Sequence, residues 1–178
     1  AKLAGFNWTA LNGVLNYFNF MTYDYNGGWS DKAGHNSPLY SYSGAEAPTF
    51  NWNDLYNYLV SAGVNLNKVN MGIPFYGRGV ITNGPAALNA PTVKRSEFIQ
   101  PDGNVMTCAD FTNWPKDVFD GTPLYYYIKQ TALVPGSGWT RHWDNEAKVP
   151  YLTKGNYFLS YDDEESIGYK AQYIVDKN

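Results

Sequence analysis

The chain has 178 residues, with 13 Lys and Arg against 16 Asp and Glu and a net charge of −3. This length allows one domain with a substantial core. The slightly acidic balance excludes a basic surface for nucleic acid and a polybasic membrane patch. No run of 18 apolar residues could cross a bilayer. We therefore expect neither nucleic acid nor a membrane among its partners.

Cysteine and histidine are too scarce for a disulfide framework or a metal centre. Cys108 is the single cysteine, and His35 and His142 are the two histidines. We expect no metal and no cofactor. Cys108 is predicted to be a small buried side chain, and His35 a hydrogen-bonding residue of a loop. The first residues lack a charged region followed by an apolar run, so no signal peptide is expected in this chain.

Aromatic side chains make up 17% of the residues and charged side chains 16%, below the usual charged share of about 25%. Tyr and Trp carry a polar tip that favours interfaces. Flat rings beside Asn, Asp and Arg suit the apolar faces and hydroxyl rims of sugars. The alternative is a core that is merely rich in aromatic residues.

The first part of the chain alternates helices and strands. In chain order the patterns predict an amphipathic helix over 8–16, a buried strand over 17–24, a loop over 25–50, a helix over 52–62 and a strand over 68–76. Gly63 is a typical helix stop. This alternation favours parallel strands joined by helical crossovers.

The alternation stops after Arg78. Residues 79–160 contain short β-like pieces at 96–99, 140–143 and 157–161 between Pro- and Gly-rich turns, and one helix over 124–132. We interpret this region as an inserted α+β subdomain with a small antiparallel sheet. Asp162 and Asp163 then precede a last helix over 164–176, whose acidic first turn suits the helix dipole.

A phenol and a carboxylate are adjacent where the first predicted strand ends. Tyr23 and Asp24 lie in the segment FMTYDYNGGW over 20–29, in which two glycines let the backbone turn before Trp29. Tyr76 and Arg78 follow the second strand. Carboxyl ends of barrel strands form the active face of such folds. The alternative is a buried tyrosine and an aspartate that caps a loop.

Four segments resemble glycoside hydrolase family 18, the chitinase family, in family order. MTYD over 21–24 resembles its sixth-strand motif, and MGIPFYGR over 71–78 its seventh strand. GWTRHWD over 138–144 with VPYL over 149–152 resembles the insertion domain of its chitinase subgroup. FLSYDDEESI over 158–167 resembles the end of that insertion and the next helix. The resemblance covers nearly the whole chain.

The resemblance implies an α/β fold, namely a partial TIM (β/α)8 barrel with an α+β chitinase insertion domain. Residues 1–78 would form a barrel segment of two β/α units. Residues 79–160 would form the insertion, and residues 161–178 the return helix of the barrel.

Family chemistry resembles that of retaining glycosidases without an enzymic nucleophile. The N-acetyl oxygen of the substrate attacks the anomeric carbon, and an oxazolinium ion forms. The resemblance implies that Tyr23 donates its hydroxyl to the acetamido oxygen and that Asp24 contacts the sugar at subsite −1.

Further side chains are implied to line the substrate cleft. The candidates are Met21, Trp29, Tyr76, Arg78, Trp139 and Arg141. Trp29 would stack in the leaving-group subsites, and Arg141 would reach a sugar from the insertion wall, so that Tyr23, Asp24, Trp29 and Arg141 converge on one concave surface. Tyr76 could instead pack in the barrel top, and Arg78 could tie down the insertion. Asp162 and Asp163 are helix caps first and ligands second.

One family feature is missing from this sequence. The general acid of the family is the Glu of D-x-x-D-x-D-x-E, which needs Asp two and four residues earlier. None of the five glutamates meets this condition: Glu46, Glu97, Glu146, Glu164 and Glu165. A complete barrel needs roughly 250 residues, and only two barrel strands are predicted. We therefore expect a C-terminal-half segment without activity of its own.

The predicted function is that of a chitinase-like hydrolase of β-1,4-linked N-acetylglucosamine polymers. A chitin-binding, lectin-like relative is the alternative, and a peptidoglycan-directed relative is a third. Chitin or chito-oligosaccharides are the expected ligands. Exposed strand edges predict a further partner, either the remainder of the barrel or a second copy of the chain. Secretion is implied by the family resemblance alone.

Overall fold

The computed structural model describes residues 2–99, 105–107 and 121–177, so the prediction for Cys108 lies outside the described residues. The helical elements are a 3-10 turn at Lys2–Gly5, α1 at Trp8–Val14, α2 at Trp52–Ser61, a 3-10 turn at Leu66–Lys68, α3 at Tyr125–Thr131 and α4 at Glu164–Lys177. The strands are β1 at Phe18–Phe20, β2 at Val69–Met71, β3 at Arg78–Ile81, β4 at Lys94–Ile99, β5 at Val105–Thr107, β6 at Thr140–Asp144, β7 at Val149–Lys154 and β8 at Tyr157–Ser160.

Strands β1 and β2 pair in parallel, with Phe18 opposite Val69 and Phe20 opposite Met71. The connection between them contains α2, whose buried residues are Trp52 and Leu59. Parallel neighbours need such a crossover because a hairpin cannot join them. The predicted partial α/β fold is therefore confirmed.

Both barrel strands are shorter than the sequence patterns predict, so the ranges 17–24 and 68–76 are corrected. The carbonyl of Phe20 accepts from Gly72 N at 2.8 Å and also from Thr22 N at 3.0 Å, so the chain turns directly after β1. Gly72 and Pro74 interrupt the second run, since proline lacks the N–H that a ladder needs.

Helix α2 starts at the predicted residue and ends at Ser61, one residue before the predicted end. The Asn51 side chain accepts from the N–H of Asp54 at 2.8 Å, a typical N-cap. Gly63 follows the helix at φ +69°, the left-handed conformation that glycine adopts without steric cost. The buried face of α2 meets α1 and β1 in a cluster that includes Trp8, Phe18 and Leu59.

A four-stranded antiparallel sheet has the strand order β3-β8-β7-β6. One face of β7 and β8 packs against α3, where Ile128, Leu152 and Leu159 are fully buried. Arg78, which the sequence places just after the second predicted strand, is the first residue of β3 and lies opposite Ser160. Strand β7 is absent from the sequence predictions, and Pro150 lies inside it. Strands β4 and β5 form a separate antiparallel pair.

Helix α4 follows Asp162 and Asp163 directly. The Asp163 carboxylate accepts from Ser166 N at 3.1 Å, so this residue does cap the helix. Asp162 instead binds the buried ammonium of Lys170 at 2.6 Å. Within the described residues, no helix combines the length and the apolar character that a bilayer span requires. The division at 79–160 stays a prediction.

Candidate active site

The parallel pairing of β1 and β2 brings two chain segments together at one sheet edge. Phe20 and Met71 are paired at the ends of the strands. The residues that follow, 21–24 and 72–76, therefore leave the sheet side by side. Thr22 joins them, because its buried hydroxyl donates to the carbonyl of Gly72 at 2.7 Å.

Asp24 is the centre of the polar contacts at this edge. Its Oδ1 accepts from the Tyr76 hydroxyl at 2.7 Å and from Arg78 Nε at 2.9 Å. Its Oδ2 lies 2.8 Å from Arg78 Nη2, which completes a two-point contact with the guanidinium. Bidentate contacts of this kind fix the orientation of a carboxylate as well as its position.

The same contacts set the protonation of the two partners. Burial, together with the hydrogen bond to Asp24 and its negative charge, raises the pKa of Tyr76 well above the usual value, so the phenol stays protonated. Burial opposes the charge of Arg78, but the bond to Asp24 and its charge outweigh burial and raise the pKa of the guanidinium. The site therefore holds a neutral phenol and a permanent cation around one carboxylate.

Tyr23 lies beside this cluster. Its ring meets the ring of Tyr76 edge to face at 6.1 Å. The ring also lies directly over Gly72, where a Cβ would stand 2.7 Å from Tyr23 Cε1. Among the residues that the structure describes, none receives or donates a hydrogen bond at the Tyr23 hydroxyl, and the side chain is half-exposed. This phenol can accordingly donate to a ligand.

Trp29 forms the outer side of the cluster. The Arg78 guanidinium lies 5.0 Å from the centre of its indole, within cation–π distance. Gly27 leaves room for the indole, because a Cβ there would stand 2.7 Å from it. Trp29 is 39% exposed and Met21 is 74% exposed. The Trp29 ring thus borders solvent next to the polar groups, and Met21 is exposed directly after β1.

Trp139 and Arg141 are placed elsewhere in the described structure. Arg141 is on β6, three strands from Arg78 in the sheet. Its guanidinium binds Asp163 at 2.8 Å and Glu165 at 2.7 Å. Trp139 and Arg141 both line a cavity of about 370 Å³ beside the end of α3. Within the described residues the charge partners of Arg141 are Asp163 and Glu165, so the convergence of Trp139 and Arg141 with Asp24 stays a prediction.

Two contacts of the cluster involve residues that carry no signal in the sequence. Arg78 Nη1 donates to the Thr122 hydroxyl at 3.1 Å, and the Asn36 side chain accepts from the N–H of Asp24 at 2.7 Å. Both residues lie far along the chain from their partners, in loops without a recognisable motif. A pairing this distant is set by the fold and is invisible to local patterns.

His35 is a hydrogen-bonding residue of a loop, as the sequence predicts, and its side chain is fully buried. Burial lowers the pKa of its imidazole, so the ring is neutral. Nε2 lies 2.8 Å from Asp144 Oδ2, which makes it the donor of this bond. The described residues contain no group of three His, Cys, Asp or Glu side chains that could hold a metal ion.

Comparison with known proteins identifies the family. The family model "Glycosyl hydrolases family 18" matches residues 2–178. The chain therefore belongs to glycosyl hydrolase family 18.

Three proteins that resemble this chain are named as chitinases. Chitinase A1 of Niallia circulans is 35% identical over 92% of this chain and 22% of its own length. Chitinase ChiA74 of Bacillus thuringiensis is 32% identical, with a TM-score of 0.76 over 96% of this chain and 27% of that structure. The Group IV chitinase of Ostrinia furnacalis, solved with allosamidin, is 29% identical with a TM-score of 0.74, over 94% of this chain and 42% of that structure. The chain thus spans between about a fifth and under half of these relatives.

Proposed function

We propose that this chain is the C-terminal-half segment of a chitinase-like glycoside hydrolase. The proposed substrate is a β-1,4-linked N-acetylglucosamine polymer, cleaved with retention by substrate-assisted catalysis. One observation carries the proposal. Tyr23, Asp24, Tyr76 and Arg78 meet at the carboxyl ends of two parallel strands, where barrel enzymes hold their active sites.

The proposed roles follow from the contacts of each group. Tyr23 has a hydroxyl that is unoccupied within the described residues, and it donates to the acetamido oxygen of the sugar at subsite −1. Asp24 is held by Tyr76 and Arg78, and it orients the acetamido group and stabilises the positive charge that forms. Groups fixed before the reaction need no reorganisation when that charge develops.

The substrate-binding residues are proposed in two sets. Tyr76 and Arg78 bind Asp24, Trp29 packs on Arg78, and Met21 is exposed directly after β1, so these four would form the sugar cleft. Trp29 offers an exposed apolar ring for stacking on a pyranose face. Trp139 and Arg141 would meet a more distant part of the polymer, because they lie across the antiparallel sheet.

The chain by itself is proposed to be inactive. No glutamate in it has the acidic residues that precede the general acid of this family. General acid catalysis is worth about 10²–10⁴-fold in rate. The test compares the whole protein with the 178-residue chain on a chromogenic N,N′-diacetylchitobioside. Turnover by the whole protein alone is the expected result. Tight oligosaccharide binding by a whole protein without turnover would favour a lectin-like role instead.

A partner for the barrel edge is also proposed. Within the described part of the chain, β1 and β2 pair only with each other. Tyr17, Met21 and Phe75 are 66%, 74% and 67% exposed near these strands. Unpaired edges beside apolar side chains promote association. The missing barrel strands would cover this edge, and without them a second copy would. Sedimentation of the isolated chain at micromolar concentration tests this proposal: a dimer is the expected result, and a stable monomer would contradict it.

Secretion of the whole protein remains an expectation from the family.

A further inference from the structure

Asp24 has a backbone conformation that its neighbours in sequence do not explain. Its φ is +60°, in the left-handed region, where a Cβ crowds the following carbonyl oxygen. Aspartate tolerates this conformation best when its side chain bonds to nearby backbone. Here the carboxylate binds Tyr76 and Arg78 instead. Strained residues of this kind persist only where surrounding contacts determine them.

The contact that determines Asp24 comes from Asn36. The Asn36 side-chain oxygen accepts from the N–H of Asp24 at 2.7 Å. The amide nitrogen of the same side chain donates to the carbonyl of Tyr76 at 3.4 Å. One side-chain amide therefore holds the backbone of both the carboxylate residue and the phenol residue that binds it.

Asn36 is itself fixed in place. It is 1% exposed. Its own N–H donates to the hydroxyl of Ser160 at 2.7 Å, and its carbonyl accepts from Tyr25 N at 3.0 Å. Ser160 is the last residue of β8, in the antiparallel sheet. The position of Asp24 is therefore tied to that sheet as well as to β1.

We propose that Asn36 is a positioning residue of the active site, which holds Asp24 in its left-handed conformation with its carboxylate on Tyr76 and Arg78. This inference rests on the proposed function, because the arrangement matters for catalysis only if Asp24 acts on a substrate. Asn36 itself touches neither substrate nor the reacting atoms.

The first test is kinetic and uses the whole protein that carries this chain. Asn36→Ala is expected to lower kcat by about 10²-fold, since a misplacement of about 1 Å can have that effect. KM should stay within about twofold, because only an interaction of the transition state is lost. The matched control is Asn51→Ala. Asn51 is also 1% exposed and also accepts from a backbone N–H, but at the start of α2. It should leave kcat unchanged.

A double-variant cycle separates positioning from general stability. If Asn36 acts through Asp24, then Asn36→Ala adds less than about twofold to the loss in Asp24→Ala. Independent, multiplying losses would overturn the proposal, and so would equal kcat values for Asn36→Ala and Asn51→Ala.

The second test is structural and does not depend on turnover. In a crystal structure of Asn36→Ala, Asp24 is expected to leave the left-handed region and lose its contact with the Tyr76 hydroxyl. Asp24 unmoved in that structure would overturn the proposal even if the wild type is inactive. An inactive wild type with a displaced Asp24 would reject the proposed function and retain the positioning role.

Asn36→Asp is the variant to use if Asn36→Ala does not fold. It retains the acceptor for the N–H of Asp24 and removes the donor to the Tyr76 carbonyl. We expect Asp24 to stay at positive φ with its N–H bond intact. Asp24 in place without that bond would count against the proposal.

Discussion

Two ion pairs in this molecule use the same chemistry in opposite surroundings. Asp24 and Arg78 have side chains that are 35% and 23% exposed, whereas those of Asp162 and Lys170 are 1% and 0% exposed. The first pair borders solvent, beside a free phenol and an exposed indole. The second pair is fully buried, and the Lys170 ammonium also donates to the Ser37 hydroxyl at 2.9 Å. The two ion pairs have similar distances, 2.8 Å and 2.6 Å, but only the first is partly open to solvent.

The largest effect on stability is expected at the buried pair. Lys170→Met leaves the buried Asp162 carboxylate without its cation, and its Oδ2 has no hydrogen-bond partner in the part of the chain that the structure describes. Breaking a buried pair in this way costs about 3–5 kcal/mol of unfolding free energy. Urea denaturation of the purified protein measures the loss. The control is Lys129→Met, which breaks an exposed pair with Glu164 and should change stability by less than about 1 kcal/mol.

A second, smaller effect is expected from His35 and depends on pH. Burial lowers the pKa of the folded imidazole, so the unfolded chain takes up a proton first as the pH falls below about 6.5. Stability is therefore present at pH 7 and declines toward pH 5, by at most about 1.4 kcal/mol per pH unit. His35→Phe should remove this part of the slope in urea titrations at each pH.

The matched variant for this experiment is His142→Phe. His142 bonds Thr153 and stacks on Tyr151, and its replacement leaves the bond between His35 and Asp144 in place. It should retain the decline toward pH 5. An unchanged slope in His35→Phe would show that other groups cause the decline.

The pair of Asp24 and Arg78 should show the reverse pattern, with a small effect on stability and a large effect on turnover. Asp24→Asn keeps the size of the side chain and removes a charge that solvent partly screens, so unfolding free energy should change by less than about 1 kcal/mol. Turnover by the whole protein should nevertheless fall by about 10²–10³-fold, the usual effect of removing one preorganised charge-stabilising group. Urea denaturation and initial rates on a chromogenic chitobioside measure the two quantities. A large loss of stability with little loss of rate would make Asp24 a structural residue.

The sequence predicts more of the local structure than of the long-range contacts. Helix α2 is indicated by its apolar spacing and by Gly63 after it, and the adjacency of Tyr23 and Asp24 indicates the candidate site before any fold is known. The ends of the strands are harder to predict from sequence. Strand β1 ends where the carbonyl of Phe20 accepts from the N–H groups of both Thr22 and Gly72, and Gly72 is distant in the chain.

Other features depend on residues that are distant in the chain. Strand β7 is difficult to predict because it contains Pro150, and a proline inside a sequence segment argues against its being a central strand. The sequence resemblance implies only a sugar contact for Arg141, whereas the fold brings its guanidinium to Asp163 and Glu165 at the start of α4. The contact of Asn36 with Asp24 likewise depends on how the loop folds back.

The missing side chain of Gly72 has a consequence for both of the segments that meet at this site. A Cβ at position 72 would stand 2.7 Å from Tyr23 Cε1 and 2.9 Å from the carbonyl oxygen of Phe20. Gly72→Ala should therefore displace the phenol of Tyr23. Because the Phe20 carbonyl accepts from the N–H of Gly72, the same methyl group should also disturb the pairing of the two segments. The glycine thus sets both the seat of the Tyr23 ring and the close approach of the backbone directly after β1 and β2.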